Sequence, residues 1–361
     1  MGLRSYVIKR IVFASILLIM AMSFNFYLFM IMPGDPTELF LPARGITKSQ
    51  QDMLIKAFRN AWGLDQPFHM QYLTYLKKML TWDFGTSLVN KREVSGEIML
   101  RLPWTILLMG GSAIIAVIVG VALGVVIAHR RGSKLDVGVL MASLITNSLP
   151  VFWLAMVFVL IFVSNLHLFA TGKAYPEKWG TGAGTPAYVP FPQPLRIGYN
   201  MTDYGMTSIF TINASDALTF FGEHLRYLFL PLLTLSVFQF GGFTLLTRAT
   251  MLESLTEDYI ITARAKGVPE RTVLFKHALK NASLPIITSV ALTFGFILSG
   301  AIITETVYSW PGLGHWIYRA VVLNDYFSMQ AIFFIITLCV IIANIVADLL
   351  YGVVDPRIKY G

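Results

Sequence analysis

Charge is what this sequence has least of. Only 13% of its 361 residues are charged, against about 25% in an ordinary soluble domain. The shortfall runs the whole length of the chain, and mean hydropathy is +0.65. That excludes a soluble globular protein. Cysteine occurs once, at Cys339. A disulfide framework is therefore excluded, and no Cys/His cluster has metal-ligand spacing. The nucleotide-binding pattern G-x-x-x-x-G-K-[ST] is missing, as are G-x-S-x-G and H-E-x-x-H. Nothing points to an enzyme active site. The net charge of +8 invites a nucleic-acid reading. In so apolar a chain, Lys and Arg instead mark cytoplasmic loops, and no nucleic-acid partner is expected.

What is present is long apolar runs. Six stretches carry no charge: 11–32, 103–128, 137–166, 227–247, 284–304 and 326–347. Each reaches the roughly 20 residues that a helix needs to cross about 30 Å of hydrocarbon. Arg4, Lys9 and Arg10 precede the first, as in a signal peptide. The run is too long for an h-region, and Met32-Pro33-Gly34-Asp35 is no small-residue cleavage site, so it reads as a span. With the N-terminus inside, Lys and Arg divide fourteen to fourteen, and nine of the outer ones lie in the long 33–102 loop. Long loops count little in this rule. HRRGSK (129–134) and 258–280 are plainly basic. The expectation is a multi-pass plasma-membrane protein with both termini cytoplasmic.

The first outer loop, 33–102, reads as helical. Thr47-Lys48-Ser49-Gln50 fits a capping box, and an amphipathic run follows to Trp62, with Gly63 as its stop. A second run starts at Pro67, with Phe68, Tyr72, Tyr75, Leu76 and Met79 at helical spacing. Two readings stand for these helices: resting on lipid headgroups, or forming a docking platform for a soluble partner. The second outer loop, 167–226, holds Pro176, Pro186, Pro190, Pro192 and Pro194 among several glycines. It cannot hold a long helix and should be irregular, with short strands. Asn200 and Asn213 fit the glycosylation pattern, which arises often by chance.

Polar residues within the spans include Asn25, Asn147, Ser148, Gln239, Thr288, Ser289, Thr293, Ser299 and Asn344. Each can be helix-to-helix glue, and several together can line a neutral, wet path. The path candidates are Asn25, Asn147, Ser148, Gln239, Thr293, Ser299 and Asn344. No charge sits mid-span. An ion-coupled carrier needs such a charge or a broken helix pair, and the sequence offers little of either. Energy for transport would have to come from elsewhere.

Between the fourth and fifth spans, 248–283 is charged and small-residued. Thr256 can cap a short helix with Tyr259, Ile260, Ala263 and Gly267 near one face. Gly267 should end it, and Pro269 prevents continuation. A second helix can start at Pro269 and run into the fifth span. Ala263 and Ala265 would let a partner's backbone come close. The alternative is a linker lying at anionic headgroups.

DYIITARAKGVPERTVLFKHALKNASLPII resembles the cytoplasmic EAA loop of binding-protein-dependent ABC transporter permeases. The closest likeness is to the oligopeptide/dipeptide/nickel family, in the subunit type with a large first outer loop. MPGDP (32–36), WGLDQPFHMQYL (62–73), WDFGTSL (82–88), RLPWTILL (101–108), ETVYSWPGLG (305–314) and DPRIKYG (355–361) agree with it, in order. The broad motif's Glu and Ala are Ile261 and Thr262 here, and its later I-x-L-P element falls on His277-Ala278-Leu279-Lys280. The 167–226 loop is longer than the family requires.

The resemblance implies an all-α type I ABC importer permease fold with six transmembrane helices, a helical first outer loop and a short coupling helix. It implies half of a translocation path, completed by a second, related permease in a heterodimer. Two cytoplasmic ATPase subunits would bind ATP and Mg, and an extracytoplasmic binding protein would deliver a peptide or an oligosaccharide. This chain itself would hold no cofactor. Contact with the ATPase falls on Asp258, Tyr259, Ala263, Arg264, Lys266 and Gly267. Glu305, Trp310 and Asp83 fall at the outer gate or the binding-protein contact. A nickel importer, or a receptor or scaffold that does not transport, are the alternatives.

Overall fold

A computed structural model describes residues 3–31, 65–87, 89–169, 196–197, 210–211, 214–296 and 302–354, with scattered residues between 47 and 59. It is mostly helical: α1 (Leu3–Ile31), α2 (Phe68–Leu80), α3 (Val94–His129), α4 (Lys134–Ser148), α5 (Val151–Phe158), α6 (Ala214–Ser254), α7 (Asp258–Ala265), α8 (Glu270–Thr272), α9 (Leu279–Phe296), α10 (Ile302–Val307), α11 (Leu313–Val322) and α12 (Tyr326–Val354). π-helical segments follow α5 and α8, at Val159–Asn165 and Val273–Ala278. Among the described residues the only strands are Arg196–Ile197 and Phe210–Thr211, paired antiparallel. They give the short strands expected in the 167–226 loop. The final part of that loop departs from expectation, because α6 already begins at Ala214. All five prolines of the loop lie at or before Pro194, so nothing there opposes a helix.

The centre of the bundle is the α3–α6 pair. Gly120 and Gly124, one turn apart on α3, lie against α6. A Cβ on Gly120 would sit 2.6 Å from the Phe243 Cβ and 2.8 Å from the Phe240 carbonyl oxygen. One on Gly124 would sit 2.5 Å from the Thr247 Cβ. Only side-chain-free positions let two backbones approach this closely, and in lipid such packing is a main source of helix association. Gly241 repeats the device on α6, where a Cβ would meet the Ser143 carbonyl of α4 at 2.6 Å.

Four helices are long and apolar enough to cross a membrane: Ile8–Ile31, Val94–His129, Leu225–Ser254 and Tyr326–Val346. The expected single span over 137–166 is instead a broken pair, Lys134–Ser148 and Val151–Asn165, bent by 104°. The break has a local cause. Pro150 carries no N–H and pushes Leu149 out of the helical region, to ψ 137°. The broken helix pair that the sequence reading found little sign of is therefore present. The expected span 284–304 contains the end of α9 and the start of α10, and 297–301 lie outside the described residues.

The expected helix from Pro67 is α2, with Pro67 at its N-cap. Tyr75 and Met79 of its apolar face are covered by this chain, while Phe68 stays 42% exposed. Phe26 of α1 meets the rings of Phe68, Tyr72 and Tyr75 at 5.4 Å each. Tyr75 and Met79 share a core with α1, α11 and α12. The expected capping box and the run to Trp62 fall largely outside the described residues, as do Asn200 and Asn213.

The close α3–α6 approach yields a direct test. Gly124→Leu should lower the unfolding temperature in detergent, at a cost of about 1–3 kcal/mol for overpacking. Gly110→Ala on the same helix meets nothing within 4 Å and should be neutral or mildly stabilising. Equal behaviour of the two variants would remove the packing argument.

Candidate functional site

Helix α7 stands on the chain's own core. Ile260 is 0% exposed and Ala263 8%. They pack with Val125 and Ala128 from the end of α3, Met251 of α6, and Val273, Leu274 and Ala278 of the π-helical segment. Tyr259 and Ser254 join hydroxyls at 2.6 Å, and Ser254 donates onward to the Ala278 carbonyl at 3.0 Å. The opposite face presents Asp258, Thr262, Arg264, Ala265, Lys266 and the bulky Ile261, which is 60% exposed.

Ala263, expected at the ATPase contact, is 8% exposed, and its methyl group packs into the core beneath the helix. Two expectations are corrected here. Thr256 does not cap α7. Its hydroxyl donates to the Glu253 carbonyl at 2.7 Å and so closes the end of α6. The expected single face of Tyr259, Ile260, Ala263 and Gly267 also divides, with Ile260 and Ala263 inward and Tyr259 and Gly267 outward.

The stop falls where the sequence puts it. Gly267 has φ +73°, a conformation that glycine adopts without penalty. Its N–H donates to the Arg264 carbonyl at 2.9 Å, and the Val268 N–H donates to the Ala263 carbonyl at 3.2 Å. This is the paired hydrogen-bond pattern of a Schellman cap, completed by the apolar contact of Val268 with the core below. Pro269 then caps α8. Across the turn, Arg264 grips Glu270 with Nη2–Oε1 at 2.6 Å and Nε–Oε2 at 3.2 Å. His129 Nδ1, at the end of α3, lies 3.6 Å from the same carboxylate. Hydrogen bonding from Arg264 holds the Glu270 carboxyl below its ordinary range.

A second ion pair lies nearby. Arg248 of α6 holds Asp136 of α4 through two bonds, of 2.7 and 2.8 Å. Asp136 is buried and also accepts the Gly132 N–H at 2.9 Å. The sequence reading missed this pair because it placed the two residues at the edges of adjacent spans. The available signal was one acid and one base flanking the third and fourth spans at the same end.

The path candidates separate into two groups. Asn25 is buried and donates to the Tyr75 hydroxyl at 3.0 Å and the Gln330 carbonyl at 3.2 Å. Gln239 donates to Ser112 Oγ of α3 at 3.3 Å and the Leu235 carbonyl at 3.2 Å. Thr293 donates to the Ser289 carbonyl of its own helix at 2.8 Å. These three serve this chain's own helices. Asn147 and Ser148, at the 104° break, are exposed, as is Asn344 of α12. Ser299 lies outside the described residues.

The expected outer contacts also divide. Asp83 is exposed. Glu305 is 0% exposed. Its Oε1 accepts the Thr105 hydroxyl and its Oε2 accepts the His315 N–H, both at 2.9 Å. Gly312 and Gly314 pass so close to this carboxylate that neither has room for a Cβ. Trp310 is buried as well. Its indole N–H donates to the Trp104 carbonyl at 3.0 Å, and the two rings meet edge-on at 5.4 Å. ETVYSWPGLG is thus a turn folded back on its own glutamate and fastened to Trp104 and Thr105 of α3.

Comparison with known proteins agrees with this architecture. Residues 120–360 match the family described as binding-protein-dependent transport system inner membrane component. Residues 3–109 match the N-terminal region of the same kind of component. The chain is 33% identical over 357 residues to the oligopeptide transport system permease protein AppB of Bacillus subtilis (strain 168), covering 99% of both. It belongs to the binding-protein-dependent permease family. The di/tripeptide transport system permease protein DppB of Pseudomonas aeruginosa (strain UCBPP-PA14) is 32% identical over 336 residues, covering 93% of both chains. The dipeptide permease protein DppB of Escherichia coli (strain K12) is 33% identical over 328, covering 91% of both.

As a permease, the chain is a membrane subunit, and among its described residues no group of His, Cys, Asp or Glu could hold a metal ion. Two outcomes follow from its ion pairs. Removing one partner of the buried pair, as in Arg248→Met, should destabilise the protein by about 3–5 kcal/mol in chemical unfolding. A loss near zero would show that the pair does not lock α4 to α6. For the exposed pair, Glu270 titrates lower in the folded protein than in the unfolded chain. Its contribution is therefore present above the ordinary carboxylate range and lost as pH falls through the folded-state value. The protection factors of the Gly267 and Val268 amides, which correct exchange for its intrinsic pH dependence, should hold at neutral pH and fall only below that range.

Proposed function

We propose that this permease is one subunit of an ABC importer for peptides. It supplies half of a translocation path, and a second, related permease supplies the rest. Both termini are cytoplasmic, and six spans cross the plasma membrane, the third of them broken. Two cytoplasmic ATPase subunits bind ATP and Mg and seat on α7, while an extracytoplasmic binding protein delivers the cargo. Peptide is the cargo class that the related permeases' names carry, whereas oligosaccharide and nickel have no such support.

The observation that carries this reading is the division of α7. One face is fixed by Ile260 and Ala263 to the ends of α3 and α6, and the other offers Ile261, Lys266 and Asp258 outward. A helix so held moves with the bundle and has a free face for an external motor. A linker at headgroups needs no such anchoring. Asn147 and Ser148 support the path reading. Exposed polar groups inside a bilayer must face water or protein, and these two sit at the helix break.

The test uses the whole assembly in liposomes. Ile261→Asp on the outward face should abolish binding-protein-stimulated ATPase activity and uptake, with the spans intact by circular dichroism. Gly267→Val forces a β-branched residue to positive φ, costing about 1–2 kcal/mol locally. It should lower uptake at least fivefold, about the factor that 1 kcal/mol represents. If both variants transport normally, α7 is not the coupling element. If the wild-type permease recruits no ATPase, the receptor or scaffold alternative takes its place.

A further inference from the structure

Arg264 stands among the expected ATPase contacts, but its guanidinium is already engaged. Nε and Nη2, the edge that matches a carboxylate in two parallel bonds, both face Glu270. The pair bridges the Gly267–Pro269 turn, and Gly267 has nothing within 4 Å of where a Cβ would stand. The turn is held by its cap hydrogen bonds, by Val268 against the core below, and on its outer side by this bridge. Glu270 opens α8, which leads through the π-helical segment into α9. The same carboxylate approaches His129 at the end of α3. Three elements, α7, α8 and α3, thus meet on one side chain, and α7 itself spans only Asp258–Ala265. A helix that short holds no direction of its own in water.

We propose that Arg264 is a positioning residue, acting through Glu270 to fix the angle of α7 against α3 and α9, and not a contact to the motor. This rests on the reading of α7 as the coupling helix. Ile261 and Lys266 remain the outward groups that touch the partner. Both members of the pair are partly exposed, and such pairs contribute little to global stability. Their loss should therefore leave folding and assembly intact and appear as poor coupling.

A charge swap separates the two roles. The complete transporter is reconstituted with binding protein and a mixed oligopeptide pool, and both stimulated ATPase activity and uptake are read. Arg264→Glu and Glu270→Arg should each lower coupled uptake about fivefold, while the ATPases still co-purify. The double swap should return it to within about twofold of wild type. His129→Gln is included in parallel, so that a new arginine at 270 does not oppose His129. Arg264→Lys should keep part of the activity, because an ammonium cannot make both parallel bonds.

The proposal is overturned if the swap stays as low as Arg264→Glu while Glu270→Arg alone behaves like wild type. Arg264 would then touch the ATPase directly. Should the reversals block assembly, Arg264→Gln, Glu270→Gln and their double decide the matter. A double no worse than either single supports positioning, and additive losses refute it. Failure of the wild-type assembly to recruit ATPases would instead defeat the proposed function, and that outcome is separate from these.

Discussion

The rest of this structure hangs on two helices brought close where one of them carries no side chain. Gly120 and Gly124 bring α3 against Phe240, Phe243, Thr244 and Thr247 of α6. In lipid there is no hydrophobic gain from burying one apolar helix against another, so close packing has to hold the pair. The remaining elements are fastened to it. Helix α4 is set on α6 by Gly241 and by the Asp136–Arg248 pair. Helix α7 follows α6 directly and sinks Ile260 and Ala263 between the ends of both. A push on α7 therefore reaches α3, α6 and α4 together. Beyond α4 this chain of contacts reaches the Leu149–Pro150 break, where the helix direction turns by 104°.

That arrangement gives the scarce charges a purpose. Asp136 is removed from water and Arg248 largely so, and their geometry is bidentate, with a backbone N–H completing the carboxylate's shell. A buried pair of this kind specifies how helices align more than it stabilises them. Glu97, also buried, is held by Arg92 and by Arg101, whose guanidinium lies 5.2 Å from the Trp316 ring centroid. In each case charge fixes an orientation, and no mid-span charge is left to couple an ion. That is consistent with a permease driven by a separate motor.

The sequence made the membrane architecture legible because hydropathy over twenty residues is a strong signal and turn chemistry is local. The extent of the apolar runs, the Pro67 start and the Gly267 stop could all be read from neighbours in the chain. What could not be read were contacts across the fold. Asn25 looked like a path residue until Tyr75, fifty positions away, took its amide. Gly120 and Gly124 carried a small-xxx-small signal that went unused, because a motif in an apolar helix does not say which helix it meets. Pro150 stands inside the third apolar run, but a proline there permits either a kink or a break. The 104° bend decides for a break.

The same distinction sorts the motifs themselves. A short motif can fit a family because it folds the chain or because it touches a partner, and the letters do not say which. Glu305, Trp310 and Ala263 are used up within the chain: a carboxylate on its own glycine turn, an indole on the Trp104 carbonyl, and a methyl under α7. Ile261, Lys266 and Asp83 are exposed and have faces to offer. Arg264 falls between the groups, exposed at one edge and committed to Glu270 at the other. Its exposure alone would make it a contact, but the direction of its hydrogen bonds makes it part of the joint.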